Sequence, residues 1–504
     1  MPDIILAFPL FAIISCFVGA VLTSILSKNK AFIVSIVVCA IVASLSAVVL
    51  TYTLVEGKSF IYTMGHFDPN EDGIRICNEI RFGPIEALLA MFFAIILALV
   101  NLGGKRHQDK DINEKKQNLL YTMLCLILVS CISLIYTNDI FTGFVFLEVS
   151  TLASCGCLVI KEKGPVILPT IRYMIFNLVG SGLFLIGIVT LYDETGYLSI
   201  ENIASAIVKM PSLEMPTMLG MMLVIIGLSI KSGLFPFHFW MPDAYGSANA
   251  TSSGVLSGIV TKGYVVLLIK VIFRMFTYEV VAQTPIFEIL FVLGVIGMIV
   301  GSINAIHQTS LDRMIAFSSA AQIGYVFMGI GLGEKYALIA AFFHILSHAT
   351  TKTLLFLTSA NLFETAHGSR KFRHLRGTGR VAWFNGVTFA LGAFSMVGLP
   401  LLAGFMSKFL FVGAAVLTDV PSWMKVCSLF ALICSTVLNA TYFGRTVITI
   451  FLPIEDENLI NKQNNKPSVL CYLGIGGLAI INLILGIFAS PIIDILEKGF
   501  DLFI

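Results

Sequence analysis

Long hydrophobic segments alternate with short polar stretches along the whole sequence. About fourteen of them are long enough for an α-helix to cross a hydrocarbon layer of roughly 30 Å. They fall at residues 4–25, 31–55, 83–102, 118–137, 139–160, 168–191, 217–240, 246–274, 286–306, 314–333, 335–361, 382–414, 423–447 and 468–490. A membrane β-barrel would instead show short segments of alternating polarity. The pattern therefore predicts an all-α, polytopic membrane protein of about fourteen transmembrane helices.

Two of these segments combine a proline with a lysine. In IKSGLFPFHFWMPD, Pro236 follows Lys231 by five residues, and in SMVGLPLLAGFMSKF, Pro400 precedes Lys408 by eight. Proline removes a backbone donor and bends a helix, and broken backbone persists in a membrane only inside protein or beside a wet cavity. We therefore predict two broken helices, an arrangement typical of internal repeats that each supply half of a transport path.

Composition agrees with a membrane protein and excludes a soluble globular domain. The chain has 504 residues, of which 57% are hydrophobic and 12% are charged, and its mean hydropathy is +0.91. The net charge of +2 indicates no class of partner. Nearly all of the ten cysteines lie in hydrophobic segments, where they pack as small apolar residues, and only Cys77 lies in a clear loop. We expect no disulfide framework.

Lysine and arginine are distributed unevenly between the loops. When the loops are numbered in chain order, most basic residues fall in the odd loops, including the clusters within 105–116 and 370–380. Because basic loops stay on the cytoplasmic side, we predict a multi-pass protein of the cell (plasma) membrane with both termini outside. The N-terminus, MPDIILAFPL, lacks the basic region of a cleavable signal, so we expect the first segment to be retained.

Titratable residues inside the hydrophobic segments are the main candidates for function. Lys231 lies near the middle of an apolar segment, where an ammonium costs roughly 3 kcal/mol on insertion scales. Glu148 lies about nine residues into its own segment, roughly 13 Å deep at 1.5 Å per residue. A carboxylate there needs a nearby cation, and Lys231 and Lys262 are the candidates. The pair could act as a proton switch, or it could be a static ion pair that only fixes helix packing.

A second group of titratable residues lies in AAFFHILSHATTKTLLFL. His344, His348 and Lys352 follow at intervals of four residues, which places all three on one helix face. Imidazoles titrate near neutral pH, so this face could relay protons, as could Lys262 in the middle of its segment. The histidines could instead be hydrogen-bonded core residues. A metal site is disfavoured because no carboxylate or cysteine lies close in sequence.

Other candidate signals are weaker. Lys270 and Arg274, near the end of the segment that carries Lys262, are predicted to reach the membrane interface as anchors. Residues 68–79, DPNEDGIRICNE, match the spacing of a calcium-binding loop, although the flanking amphipathic helices are missing. The ligands would be Asp68, Asn70, Asp72 and Glu79. The sequence contains no phosphate-binding glycine loop, dinucleotide motif or iron–sulfur cysteine run, so we predict no cofactor and no redox chemistry, and no nucleic acid as partner.

The motifs together resemble those of a known family. The stretch from Lys231 to Lys262, KSGLFPFHFWMPDAYGSANATSSGVLSGIVTK, closely resembles the signature of antiporter-like subunits shared by respiratory complex I, Mrp-type Na⁺/H⁺ antiporters and membrane-bound hydrogenases. HILSHATTKTLLFL, GLPLLAGFMSKF and AFSSAAQIGYVFMGIG resemble three further motifs of that family. One departure is SLDRMIAFSS, where relatives usually carry an acid followed by a Lys-Arg pair.

The resemblance implies a fold and a set of roles. It implies fourteen helices with two inverted five-helix repeats, a switch pair of Glu148 and Lys231, a central relay at Lys262 and an exit at Lys408. By this division residues 1–116 hold helices 1–3, 117–275 the first half-channel repeat, 286–447 the second, and 448–504 the last helix and the tail.

The sequence thus predicts a proton-translocating, antiporter-like subunit of a larger membrane complex. Its partners would be other membrane subunits, the lipid bilayer and H⁺, with exchange for Na⁺ left open. Two alternatives remain, a stand-alone cation/proton secondary transporter with a midplane binding site and a purely structural subunit. Whether the parent complex oxidises NADH, evolves hydrogen or exchanges ions also remains open.

Overall fold

The computed structural model describes residues 2–63, 78–162, 164–210, 213–454 and 468–503. Helices dominate these ranges. A short antiparallel hairpin pairs β1 (Phe60–Thr63) with β2 (Glu79–Phe82), and Phe60 lies opposite Phe82. The α-helices are α1 (Pro2–Leu6), α2 (Phe8–Ile25), α3 (Lys28–Glu56), α4 (Pro84–Asp111), α5 (Gln117–Tyr136), α6 (Ile140–Val159), α7 (Gly164–Thr195), α8 (Ile200–Val208), α9 (Met215–Ser232), α10 (Trp240–Ser247), α11 (Ala250–Val255), α12 (Thr261–Lys270), α13 (Tyr278–Val281), α14 (Ile286–Ile306), α15 (Leu311–Leu332), α16 (Lys335–Thr365), α17 (Thr378–Val381), α18 (Trp383–Val397), α19 (Ala403–Leu417), α20 (Ser422–Phe451), α21 (Val469–Ile487) and α22 (Ala489–Phe503). Short 3₁₀ segments cover Glu114–Lys116, Phe237–Phe239 and Phe372–His374, and π-helical segments cover Leu256–Val260 and Val271–Met275.

The predicted spans are present. In the described ranges, 13 helices are long and apolar enough to cross a membrane, counting α9 with α10 as one and α11 with α12 as another. The shorter apolar helices α18 and α19 occupy the remaining predicted segment, 382–414. The prediction of an all-α membrane protein with about fourteen spans is confirmed, whereas the division into two repeats stays a prediction.

Both predicted helix breaks are also present. α9 ends at Ser232, and Gly233 adopts a left-handed conformation (φ 75°) before the chain resumes as α10. α18 ends at Val397, and Gly398 is left-handed as well (φ 95°). Left-handed backbone is strained for residues with a Cβ, so glycine suits these helix ends. Pro236 and Pro400 follow these two glycines within three residues. Each helix has already ended there, so the missing N–H of proline breaks no helical hydrogen bond.

The two faces of the bundle differ. We call the side that carries the loops after odd-numbered spans the odd-loop face, and the other side the even-loop face. The hairpin and two amphipathic helices, α8 and α22, cover the even-loop face. Arg81 of β2 joins them, because its guanidinium donates to Glu201 of α8 at 3.0 Å and to the backbone oxygen of Leu502 in α22 at 3.0 Å.

The prediction that Lys270 and Arg274 reach the membrane interface is wrong. Lys270 is fully buried, and its ammonium donates to the carbonyl oxygens of Leu134, Ile135 and Thr137 at the end of α5. Arg274 is also buried and forms an ion pair with buried Glu86 of α4 at 3.3 Å. Their charges are therefore satisfied inside the protein. The position of these two residues near the end of their segment predicts anchoring at the interface. Position in the sequence does not reveal acceptors on other helices.

Candidate functional site

Glu148 and Lys231 meet between α6 and α9. Asp139 precedes α6 and caps it, because its side chain accepts the Thr142 N–H at 2.5 Å. Glu148 lies two turns deeper, and its Oε1 is 3.5 Å from the Nζ of Lys231, which is completely buried. The glycine-lined contact between α7 and α9 holds Lys231 in place, since a Cβ on Gly180 would lie 3.1 Å from its Cγ. The two residues that the sequence paired are thus in contact.

Hydroxyl groups complete this contact, and sequence reasoning missed them. Thr151 lies three residues after Glu148 on the same helix face, and its Oγ1 accepts from Lys231 Nζ at 2.8 Å. Ser181 of α7 donates to the Glu148 carboxylate. The ammonium of Lys231 also lies 5.5 Å from the centroid of the Tyr264 ring. The i, i+3 spacing of Thr151 from Glu148 was the available signal.

Lys262 is the second residue of α12, two residues after the π-helical segment Leu256–Val260. Its ammonium donates to the backbone oxygen of Ser257 and to Thr261 Oγ1 at 3.2 Å. The Ser257 hydroxyl lies 2.9 Å from that of Ser319 in α15, so the π-helical segment and α15 are joined beside this lysine. A π-helical turn leaves backbone oxygens unpaired within a helix, which explains how a mid-helix lysine obtains a carbonyl acceptor.

The predicted stripe on α16 is present. His344 and His348 stack with their ring centroids 5.7 Å apart and an interplanar angle of 11°. His344 Nδ1 lies 2.6 Å from the Ser407 hydroxyl, whereas both ring nitrogens of His348 lack a partner among the described residues. Lys352 donates to the Ile315 oxygen at 3.1 Å and to the Ser318 hydroxyl. All three side chains are buried, so the stripe faces the protein interior.

Lys408 lies on the second half of the second broken helix. Its ammonium donates to the oxygen of Val397 at 2.7 Å, at the carboxyl end of α18, and to Thr436 Oγ1 at 3.1 Å. The carboxyl end of a helix carries partial negative charge, so the break itself provides an acceptor for the cation. A cavity of about 10 Å³ lies between Lys408 and the two histidines, close to the room that one water molecule needs.

A large polar cavity opens on the odd-loop face. We call it the vestibule, and its volume is about 750 Å³. Ion pairs line its wall, namely Lys110 with Glu364 at 2.8 Å, Lys161 with Asp111 at 3.3 Å and Arg370 with Asp312 at 3.0 Å. Ser253 of α11 also lines the vestibule, one helical turn before Ser257. The vestibule therefore approaches the surroundings of Lys262, which sequence reasoning did not foresee because residues from several helices far apart in the chain form it.

The predicted calcium-binding loop lies mostly outside the described residues. Asp68, Asn70 and Asp72 lie outside the described residues, and Glu79 accepts hydrogen bonds from Asn138 at 2.8 Å and Ser199 at 2.9 Å. Across the described ranges, no three His, Cys, Asp or Glu side chains are grouped in a way that could hold a metal ion. The nine cysteines within those ranges are free, and Cys77 falls outside them.

Comparisons with known proteins agree with this architecture. Residues 137–438 match the family described as NADH:quinone oxidoreductase/Mrp antiporter, TM. The N subunit of the NADH-quinone oxidoreductase of Desulforudis audaxviator is 30% identical over 448 residues, which cover 88% of this chain and 86% of that protein. A Na⁺/H⁺ antiporter subunit of Alkalihalophilus pseudofirmus is 27% identical over 75% of each chain.

Solved structures share the fold. A chain of an archaeal membrane-bound sulfane sulfur reductase superposes with a TM-score of 0.85 at 23% identity, covering 99% of this chain and 97% of that one. A chain of the Mrp complex from Dietzia sp. superposes with a TM-score of 0.84 at 19% identity, covering 98% and 97%. With a family match over more than half of its length and two broken helices in place, this chain belongs to the NADH:quinone oxidoreductase/Mrp antiporter family of transmembrane subunits.

Proposed function

We propose that this chain translocates protons as an antiporter-like subunit of a larger membrane complex. The path runs from Glu148 and Lys231 through Lys262 to the histidine stripe on α16, and it leaves by Lys408. A change of charge at the neighbouring subunit would move Glu148 relative to Lys231 and so decide whether the lysine keeps its proton. Protons are the proposed cargo, and exchange for Na⁺ is the second candidate.

One observation carries this proposal. Three buried lysines, at positions 231, 262 and 352, and the partly buried Lys408 each bond to hydroxyl or carbonyl oxygens. Of these four, within the described residues, only Lys231 has a carboxylate within 4 Å. A static core usually pairs its buried charges, because an unpaired buried charge is costly. Lys270 is also held by carbonyl oxygens alone, but it lies near the end of its segment, whereas these four lysines lie within the membrane segments of adjacent helices. Lysines held by neutral acceptors on several adjacent helices are suited to exchanging protons in sequence.

The exposure of Glu148 supports a neighbouring subunit. Its side chain is 25% exposed while its partner Lys231 is fully buried. A carboxylate that faces lipid is unfavourable, so a protein surface would cover it in the assembled membrane. Relatives named as subunits of a quinone oxidoreductase and of an antiporter agree with such an assembly. The partners would be other membrane subunits of one complex in the cell membrane.

The vestibule provides access for protons from the odd-loop side. Its ion-paired wall keeps it polar, and Ser253 and Ser257 follow one another toward Lys262. We assign the odd-loop face to the cytoplasm and both termini to the outside, following the distribution of basic loops. Under this assignment the vestibule is the cytoplasmic opening of the path.

The alternative is a stand-alone cation/proton transporter, and reconstitution separates the two. Vesicles would hold either the purified chain alone or the complex purified through a tag on this chain, and an acid-sensitive dye would report proton flux. We expect flux from the driven complex and only background flux from the chain alone. Proton–cation exchange by the chain alone at the rate of the complex would favour the alternative.

Thr151→Val should reduce proton flux roughly tenfold. The substitution keeps the shape of the side chain but removes the oxygen that accepts from Lys231, and a hydrogen bond to a charged group contributes about 1.5–3 kcal/mol. Flux in vesicles carrying the whole complex is the measurement, and Thr151→Ser should restore it. Thr190→Val is the matched control, since Thr190 is partly exposed on α7 and its hydroxyl donates to the backbone oxygen of Ile186, one turn earlier. Equal flux from Thr151→Val and the control would contradict this role.

A further inference from the structure

Four exposed cations lie together at the odd-loop end of α20. They are Lys371, Arg373, Arg380 and Arg445, which we call the basic rim. The segment between α16 and α18 runs along the last turns of α20, because the Gly377 N–H donates to the Thr449 oxygen at 3.3 Å. This contact brings residues that are far apart in sequence to one edge of the bundle.

Contacts fix the position of the two inner members of the basic rim. Arg380 Nε donates to the oxygen of Phe451 at 2.6 Å, at the carboxyl end of α20. The guanidinium of Arg445 lies 4.6 Å from the centroid of the Phe372 ring, and Phe372 lies between Lys371 and Arg373 in the chain. Each guanidinium has five N–H donors, and among the described residues only the Nε–H of Arg380 has a hydrogen-bond acceptor.

The basic rim has no acidic partner in the described part of the chain. No carboxylate there lies within 4 Å of any of its four side chains, whereas the nearby Arg370 pairs with Asp312 and Arg313 pairs with Asp243. The sequence contains no aspartate or glutamate between Glu364 and Asp419. The exposed positive charge of this edge is therefore uncompensated by the described elements packed around it.

Neighbouring side chains place the basic rim at the level of lipid headgroups. Trp383, three residues after Arg380, is 66% exposed, and Tyr472, whose ring packs on Phe384, is 43% exposed. Tryptophan and tyrosine concentrate at membrane interfaces. α20 has 30 residues, more than the roughly 20 that span the hydrocarbon core, so its last turns extend into the interface. Ile448, on the same turns, is 63% exposed and offers an apolar surface for an acyl chain.

We propose that the basic rim binds the headgroup of an anionic membrane phospholipid. The guanidinium groups of Arg380 and Arg445 would each bond the phosphate oxygens, a geometry for which the planar fork of arginine is suited. The acyl chains would pack beside Ile448 and Trp383. The lipid reaches the basic rim from the bilayer. Its binding therefore does not require that the proposed proton path operates.

Lipid retention by the purified complex tests this site. The complex would be incorporated into vesicles of equal phosphatidylglycerol and phosphatidylcholine, re-extracted in detergent, and its retained lipids quantified by mass spectrometry. Wild type should retain phosphatidylglycerol in preference, and Arg380→Gln/Arg445→Gln should retain roughly tenfold less. Lys425→Gln/Lys498→Gln, which removes the same charge from the even-loop face, should match wild type.

Three results would overturn the proposal. The first is unchanged phosphatidylglycerol retention in the rim variant while gel filtration shows an intact complex. The second is displacement of the retained lipid by inorganic phosphate, which would make the basic rim a general anion site. The third is a severalfold rise in retention after neutralising the acidic residues at 455–457, which would make that segment of the chain the normal occupant.

Discussion

Lys231→Met should reduce driven proton flux to the background level of empty vesicles. Methionine keeps the length and apolar stem of lysine but carries no proton, so Glu148 and Thr151 lose the group they share. Every proton on the proposed path passes this residue, so the loss should be complete rather than partial. Flux would be measured with an acid-sensitive dye in vesicles that contain the whole complex, driven by its natural energy source.

Lys335→Met is the control for that experiment. Lys335 lies on the even-loop face, where it forms a partly exposed ion pair with Asp501 at 2.5 Å. Its replacement removes the same charge without touching the proposed path, so flux should stay near wild type. Residual flux above background in Lys231→Met, with normal assembly, would mean that protons bypass Lys231. That result would favour a static role for the Glu148–Lys231 pair in helix packing.

Glu86→Gln should destabilise the folded chain by about 3–5 kcal/mol, the cost of breaking a buried ion pair from one side. The side chains of Glu86 and Arg274 are each 1% exposed, and their charged atoms lie 3.3 Å apart. Glu86 accepts from Arg274 with one oxygen and from the Gly83 N–H with the other, so glutamine, which has a single oxygen, loses the charge and one of these two bonds. Arg274 and Lys270 would then be two neighbouring buried cations without an anion between them. The apparent melting temperature and folded yield of the purified complex are the measurements.

Glu201→Gln serves as the matched control on the same face. Glu201 pairs with Arg81 at 3.0 Å, but its side chain is 41% exposed. Exposed pairs contribute only about 0–1 kcal/mol, so the melting temperature should change little. Similar shifts for the two variants would show that the buried pair has no special role in stability.

Much of the fold could be predicted because the bilayer imposes simple rules. The length of the hydrophobic segments predicts the membrane spans, and prolines near lysines within those segments predict both helix breaks. Neither feature depends on contacts between residues that are far apart in the chain. The i, i+4 spacing placed His344, His348 and Lys352 on one face for the same local reason. Contact between Glu148 and Lys231 was inferred from charge balance, which leaves few partners for a carboxylate in a membrane.

Other features depended on tertiary contacts and could not be foreseen. The three carbonyls that hold Lys270 belong to the end of α5, and the glutamate that pairs with Arg274 begins α4. A sequence pattern identifies such cations near a segment end but not their acceptors. The vestibule likewise needs residues from loops and helices far apart in the chain. Hydroxyl partners such as Ser181 are common in helices, so nothing in the sequence distinguishes the one that contacts Glu148.

Lys231→Arg provides the most direct test of the central claim, that Lys231 works by losing and regaining a proton. Arginine keeps the positive charge and can keep the ion pair with Glu148, but it does not release its proton in a protein. Proton flux by the driven complex in vesicles is the measurement, with assembly confirmed by gel filtration. We predict an assembled complex whose flux is at background. Flux near that of wild type would contradict the account, because a fixed charge at this position would then be sufficient.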